Sequence, residues 1–180
     1  MLALSILILF ILSFQVMPVA LGMDVRKTQP LNLASGVLFI ILGQVLFFLF
    51  GIWLGNSFMH LLSGIRAAVL FVGFSLIGVR FVMEAFNIRK GERTYSVERP
   101  LLFILPAIAQ AVNTFLAGLL FYFLSTNLTN DLIYLSVFSF SLSLLFVFIK
   151  NNKLALSAIS LLYLVGGGIL TLISFYFVFA

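Results

Sequence analysis

The chain has 180 residues, of which 63% are hydrophobic and 8% charged; its mean hydropathy is +1.28 and its formal net charge +5. A water-soluble domain is excluded, because its surface would lack polar cover. Zero cysteines exclude disulfides and thiolate chemistry, and a single histidine, His60, excludes a multi-histidine metal cluster within this chain.

The hydrocarbon core of a bilayer is ~30 Å thick and takes roughly 20 helical residues to cross. Six apolar stretches of that kind follow one another at 2–21, 33–54, 61–86, 101–124, 132–149 and 154–178. Nothing is left over for a soluble domain, so 1–180 reads as one all-α integral membrane domain. The first stretch has the hydrophobicity of a signal peptide, but its positive charges, Arg26 and Lys27, follow the apolar run instead of preceding it. It reads as a retained first span.

The basic residues are spread over the loops and form no stripe, which points to lipid headgroups and not to nucleic acid. The first connection carries Arg26 and Lys27, the third Arg89, Lys90, Arg93 and Arg99, and the fifth Lys150 and Lys153. The second (55–60) and fourth (125–131) carry no Lys or Arg. The positive-inside rule then places connections one, three and five in the cytoplasm and both termini outside. Asn127-Leu128-Thr129 has the form of a glycosylation acceptor and is assigned no role.

The polar stretch 87–99 divides the chain into repeat one (1–86) and repeat two (100–180), with a cytoplasmic loop between them. Three spans per half force the second half to enter from the opposite side, which makes two inverted three-helix repeats, an architecture of secondary transporters. Short echoes accompany this. Ser13-Phe14-Gln15-Val16 matches Ala111-Val112-Asn113-Thr114, and Leu76-Ile77-Gly78-Val79 matches Leu164-Val165-Gly166-Gly167.

Polar groups inside the spans need partners or a purpose. Gln15, Gln44, Gln110 and Asn113 are carboxamides within spans one, two and four, and their oxygens can coordinate a hard cation. Interhelical hydrogen bonding, a contribution of about 0.6–2 kcal/mol each, would explain them equally well one at a time. Taken together, Gln15, Gln44 and Asn113 read as the lining of one midplane site and as the candidate metal ligands. Pro18 and Pro106 can break or kink spans one and four; Pro18 would free the Phe14 carbonyl beside Gln15. Gly51 with Gly55, and Gly166-Gly167-Gly168, favour close helix packing. Arg80 and Glu84 form an i,i+4 pair near the end of span three, and Arg66 lies one turn into that span. Asp24, Glu92, Glu98 and Asp131 fall in connections, so no carboxylate lies deep in a span. No enzyme activity and no cofactor is expected; the partners are the bilayer and a small solute.

These residues together resemble the MntP-type manganese efflux pumps, within the superfamily of lysine exporter-like transporters. The resemblance runs over nearly the whole length: six short spans, a basic central loop and termini outside. The family's first-span pattern S-M-D-A-F-A-A-S-I-G is similar to the segment from Ser13 to Gly22, and its second-span acidic residue falls on Gln44, ahead of Gly51-Ile52-Trp53-Leu54-Gly55. Its G-x-R-x-x-x-E pattern is kept as Gly78, Arg80 and Glu84. Its fourth-span S-L-D-A-M-A-V-G pattern falls on the segment from Ala111 to Gly118, and its sixth-span glycines on Gly166 and Gly168.

The resemblance implies manganese export across a bacterial inner membrane, with Gln15, Gln44 and Asn113 at the ion site and Pro18, Gln110, Arg80 and Glu84 supporting it. All three intramembrane carboxylates of the family stand here as neutral amides, which supply oxygens but no charge to offset the desolvation of a divalent ion. A different solute, neutral or zwitterionic, and a relative that no longer transports therefore stand beside manganese.

Overall fold

A computed structural model describes residues 2–23, 29–90, 104–149 and 151–179, and every regular element among them is helical. The first helical run comprises α1 (Leu2–Ser13), a 3-10 turn at Phe14–Val16, and α2 (Met17–Gly22). Pro18 explains the tight turn. It has no N–H to give the Phe14 carbonyl, and the Met17 N–H takes that carbonyl instead. The sequence expectation of a freed Phe14 carbonyl is thus corrected: the run Leu2–Gly22 continues through the proline with that oxygen bonded.

Pro30 starts α3 (Pro30–Phe58) at a position where a missing N–H costs no helical bond. A 3-10 segment, Met59–Ile65, leads into α4 (Arg66–Lys90). The connection expected at 55–60 is therefore helical, and Gly55 lies inside α3. After the undescribed stretch come α5 (Ile104–Phe121), α6 (Leu128–Phe148) and α7 (Lys153–Phe179). α6 starts four residues before the expected 132. The Asn127 carboxamide caps it, accepting from the Thr129 N–H at 3.0 Å.

Among the described residues, four helical runs are long and apolar enough to cross a membrane: Leu2–Gly22, Pro30–Lys90, Leu128–Phe148 and Lys153–Phe179. The second is 61 residues long, far beyond one crossing, and contains both α3 and α4. With these runs the chain is a multi-pass, all-helical membrane protein. Residues such as Leu38, Leu42, Leu46, Phe50 and Trp53 form an exposed apolar stripe along α3 that lipid chains would cover.

Three helix pairings are the most extensive. α3 packs on α5 in the same direction: a Cβ at Gly51 would meet the Gly118 Cα at 3.0 Å, and one at Gly55, a turn later, the Leu119 carbonyl oxygen at 3.1 Å. α4 packs on α7 in the opposite direction, with Ser75 against Ser174 (2.7 Å), Phe81 stacked on Tyr163 (5.0 Å) and the Ser160 hydroxyl on the Ala85 carbonyl (2.8 Å). α1 and α6 run side by side in the same direction. Ser5 shares a cavity with Asp131 near their starts, and Phe10 meets Phe138 edge-on at 5.3 Å further in. The first run is the most enclosed, with Ile8, Leu9, Leu12, Val16, Val19 and Ala20 all fully buried.

Candidate functional site

The 3-10 turn forced by Pro18 holds Gln15 in the middle of this enclosed run, 1% exposed. Its Nε2 donates to the Leu12 carbonyl at 3.0 Å and to the Thr114 hydroxyl of α5 at 3.3 Å. Thr114 Oγ1 in turn donates to Gln44 Oε1 on α3. One threonine hydroxyl thereby joins amides from the first run and from α3, with all three side chains buried. The direction of donation fixes the amide of Gln15: the Leu12 carbonyl can only accept, so nitrogen faces it and oxygen is left over.

That oxygen, Gln15 Oε1, is buried without a hydrogen-bond partner, and so is Asn113 Oδ1, next to Thr114 in the chain. An unmade hydrogen bond to a buried group costs about 1–3 kcal/mol. Ser139 Oγ and Ser143 Oγ on α6 are buried and unpartnered as well. Both of these carboxamides are short at the oxygen, an atom that can only accept. Among the described residues no group of three or more His, Cys, Asp or Glu side chains could hold a metal ion. The oxygens of the cluster are neutral.

Of the residues expected at one site, Gln15 and Gln44 are brought together through Thr114. Asn113 is buried at the position before Thr114 on α5, and no hydrogen bond joins it to either amide. Pro18 supports the turn that carries Gln15. Gln110 and Pro106 have side chains outside the described set, as do Arg26, Lys27, Arg93, Arg99 and Lys150 of the loops. Arg80 is exposed and Glu84 half-buried on α4, which packs on α7, while the amide cluster is built from the first run, α3 and α5.

Sequence reasoning passed over Thr114, although its hydroxyl stands directly after the amide in Val112-Asn113-Thr114. It also passed over Ser139 and Ser143, whose i,i+4 spacing in span five was the available signal. Asp131, expected in a connection, is corrected: it occupies the first turn of α6 and is 4% exposed. The Thr126 hydroxyl donates to it, and it lines a cavity of about 180 Å³ with Ser5, Asn130 and Tyr134. The early start of α6 at the Asn127 cap moves it there.

Residues 25–178 match the family model described as "Mntp: Putative manganese efflux pump". The chain belongs to the Mntp family. No curated protein and no solved structure matches it. Gln44, Asn113 and Thr114 lie within the residues the Mntp model covers, whereas Gln15 precedes them. The Mntp match thus covers two of the three helical walls of the cluster, and the third comes from the segment before it.

Proposed function

We propose that this chain is a six-span exporter of a small cation, with Mn²⁺ the cargo its family points to, and that the cargo passes between two inverted three-helix repeats through the Gln15–Thr114–Gln44 cluster. It is a carrier and not an enzyme. The carrying observation is the pair of buried, unpartnered acceptor oxygens on Gln15, which bonds to the Thr114 hydroxyl tying together the first run, α3 and α5, and on Asn113, which precedes Thr114 in the chain. Oxygen acceptors without donors are what a hard cation uses as ligands. Because they are neutral, the ion would keep part of its hydration shell and bind weakly, which suits release on the far side.

The helix directions support the inverted arrangement. Exchanging the two halves maps the α3–α5 pair onto the α6–α1 pair, both parallel, and maps α4–α7 onto itself, antiparallel. Two loop sites test it with the termini outside, since the chain has no cysteine of its own. A cysteine introduced within 87–99 should stay unreactive to impermeant reagents in intact cells, while one within 55–60 should label. Labelling of the first from outside refutes the orientation.

The neutrality of the cluster favours one second reading, export of a neutral or zwitterionic solute, which amides suit without any loss of charge. Expression in a manganese-sensitive host that lacks its own exporter decides between them. Lowered intracellular manganese with restored growth supports the cation. Unchanged manganese with altered amino-acid efflux supports the second reading, and neither change points to a relative that no longer transports.

A further inference from the structure

Several helical hydroxyls elsewhere in this chain turn back on their own backbone. Ser5 donates to the Leu2 carbonyl at 2.8 Å, Ser35 to the Asn32 carbonyl at 2.9 Å and Thr171 to the Gly167 carbonyl at 2.9 Å. Ser139 and Ser143 do not, although both are fully buried on α6 and that bond was open to them. Their hydroxyls make no bond to their own helix and stay open to another partner.

The packing says where. Residues 131, 135, 139, 143 and 147 make one buried stripe on α6, and α6 packs against the Phe14–Val16 turn and against α3. Phe10 and Phe138 touch on the parallel pair α1 and α6. Five residues beyond that contact stand Gln15 on one helix and Ser143 on the other, each about 7–8 Å deeper at 1.5 Å per residue. The sequence gives a second, independent pointer. Ser143-Leu144-Leu145-Phe146-Val147 of α6 parallels Gln44-Val45-Leu46-Phe47-Phe48 of α3. Counted from Pro30 and from Leu128, Gln44 is the fifteenth residue of its helix and Ser143 the sixteenth. In two inverted repeats these helices are counterparts.

We propose that Ser143, with Ser139 one turn before it, forms the α6 wall of the Gln15–Thr114–Gln44 site and offers hydroxyl oxygen to a small hard cation there. The proposal rests on the transport reading above and adds a fourth helix to the site. The chemistry is consistent: Gln15 Oε1 and Asn113 Oδ1 can only accept, a serine hydroxyl can donate to one acceptor at a time, and a cation can take amide and serine oxygens together as ligands. Serine hydroxyls stand in for water ligands, so a partly hydrated ion meets the same atoms on every side.

Single cysteines test this in the otherwise cysteine-free full chain, reconstituted in proteoliposomes. Ser143→Cys and Gln44→Cys should react with a small cationic methanethiosulfonate reagent at least tenfold faster than Ser174→Cys. Ser174 is equally buried, but its hydroxyl bonds the Thr171 carbonyl and Ser75 in the α4–α7 contact. Manganese chloride should slow the reaction at both Ser143→Cys and Gln44→Cys. A Ser143→Cys as inert as Ser174→Cys overturns the proposal, and so does protection of Gln44→Cys alone. Reaction at both with protection at neither keeps Ser143 in the shared wall and removes manganese as the cargo.

Discussion

The contact between α4 and α7 and the cluster around Thr114 both join helices inside the membrane, and they do so in opposite ways. Along α4 and α7 the backbones touch. A Cβ at Gly78 would meet the Gly167 carbonyl oxygen at 2.7 Å, and one at Gly167 would meet that of Gly78 at 2.6 Å. Hydroxyls along this contact find partners, Ser75 with Ser174, Thr171 with the Gly167 carbonyl and Ser160 with the Ala85 carbonyl. Around Thr114, one hydroxyl carries the bonds of two amides, and two amide oxygens are left open. Helices in lipid associate through close packing and satisfied hydrogen bonds. The first region is built to hold, and the second leaves buried acceptors unpaired at a cost in stability.

The largest effect should come from breaking the backbone contact. Gly78→Leu places a branched side chain where a carbonyl oxygen and Thr171 already stand, and a helix backbone cannot step aside. Overpacking usually costs about 1–3 kcal/mol, and backbone collision costs more. We expect no monodisperse protein in detergent. Gly168→Ala is the matched reference. A Cβ there meets nothing within 4 Å, and the better helix propensity should leave stability equal or raised by up to ~1 kcal/mol. A Gly78→Leu protein that unfolds with the reference would show that these backbones do not hold the bundle.

Adding acid separates the two regions next. Gln15→Asp, Gln44→Glu or Asn113→Asp buries a charge at a cost of about 2.5–3.5 kcal/mol on insertion-derived scales. The melting temperature in detergent should fall, and Mn²⁺ should recover it, because a divalent ion gains the negative charge that neutral amides do not give. Ser174→Asp, in the α4–α7 contact, should be destabilised as much and gain nothing from Mn²⁺. Equal recovery in both regions would mean that the metal acts elsewhere.

How much of this was legible beforehand follows the same division. Helices were readable because apolar length alone demands them, and the amides at Gln15 and Gln44 were readable because an amide in lipid needs a reason. The connecting hydroxyl was not, since threonine bonds its own helix as readily as a neighbour and composition does not say which. Helix ends escaped for local reasons: α3 runs on through the packing glycine Gly55 to Phe58, past the expected connection, and Asn127 starts α6 early enough to bury Asp131. Pro18 signalled a disturbance correctly, yet whether a helix breaks or tightens depends on a competing donor, and Met17 supplies it.

The smallest and most selective change removes one oxygen. Thr114→Val keeps the shape of the side chain and deletes the hydroxyl, leaving Gln44 Oε1 without its donor and Gln15 Nε2 with the Leu12 carbonyl alone. Burying Gln44 Oε1 unpaired should cost about 1–3 kcal/mol, a loss the α4–α7 contact can absorb without unfolding. Thr114→Ser keeps the oxygen and loses one methyl group, about 0.8 kcal/mol if that methyl is fully packed. If Thr114 only glues helices, stability separates these variants, and manganese transport per folded molecule is the same in both. If it orients the two amides toward a cargo, the apparent affinity for Mn²⁺ falls in Thr114→Val at least tenfold and stays near wild type in Thr114→Ser. Transport is compared only among variants of matched folded fraction, so a stability effect cannot pass for a binding one. Equal affinity in the valine and serine variants would return Thr114, and with it the pairing of Gln15 and Gln44, to the same structural role as Ser75 with Ser174.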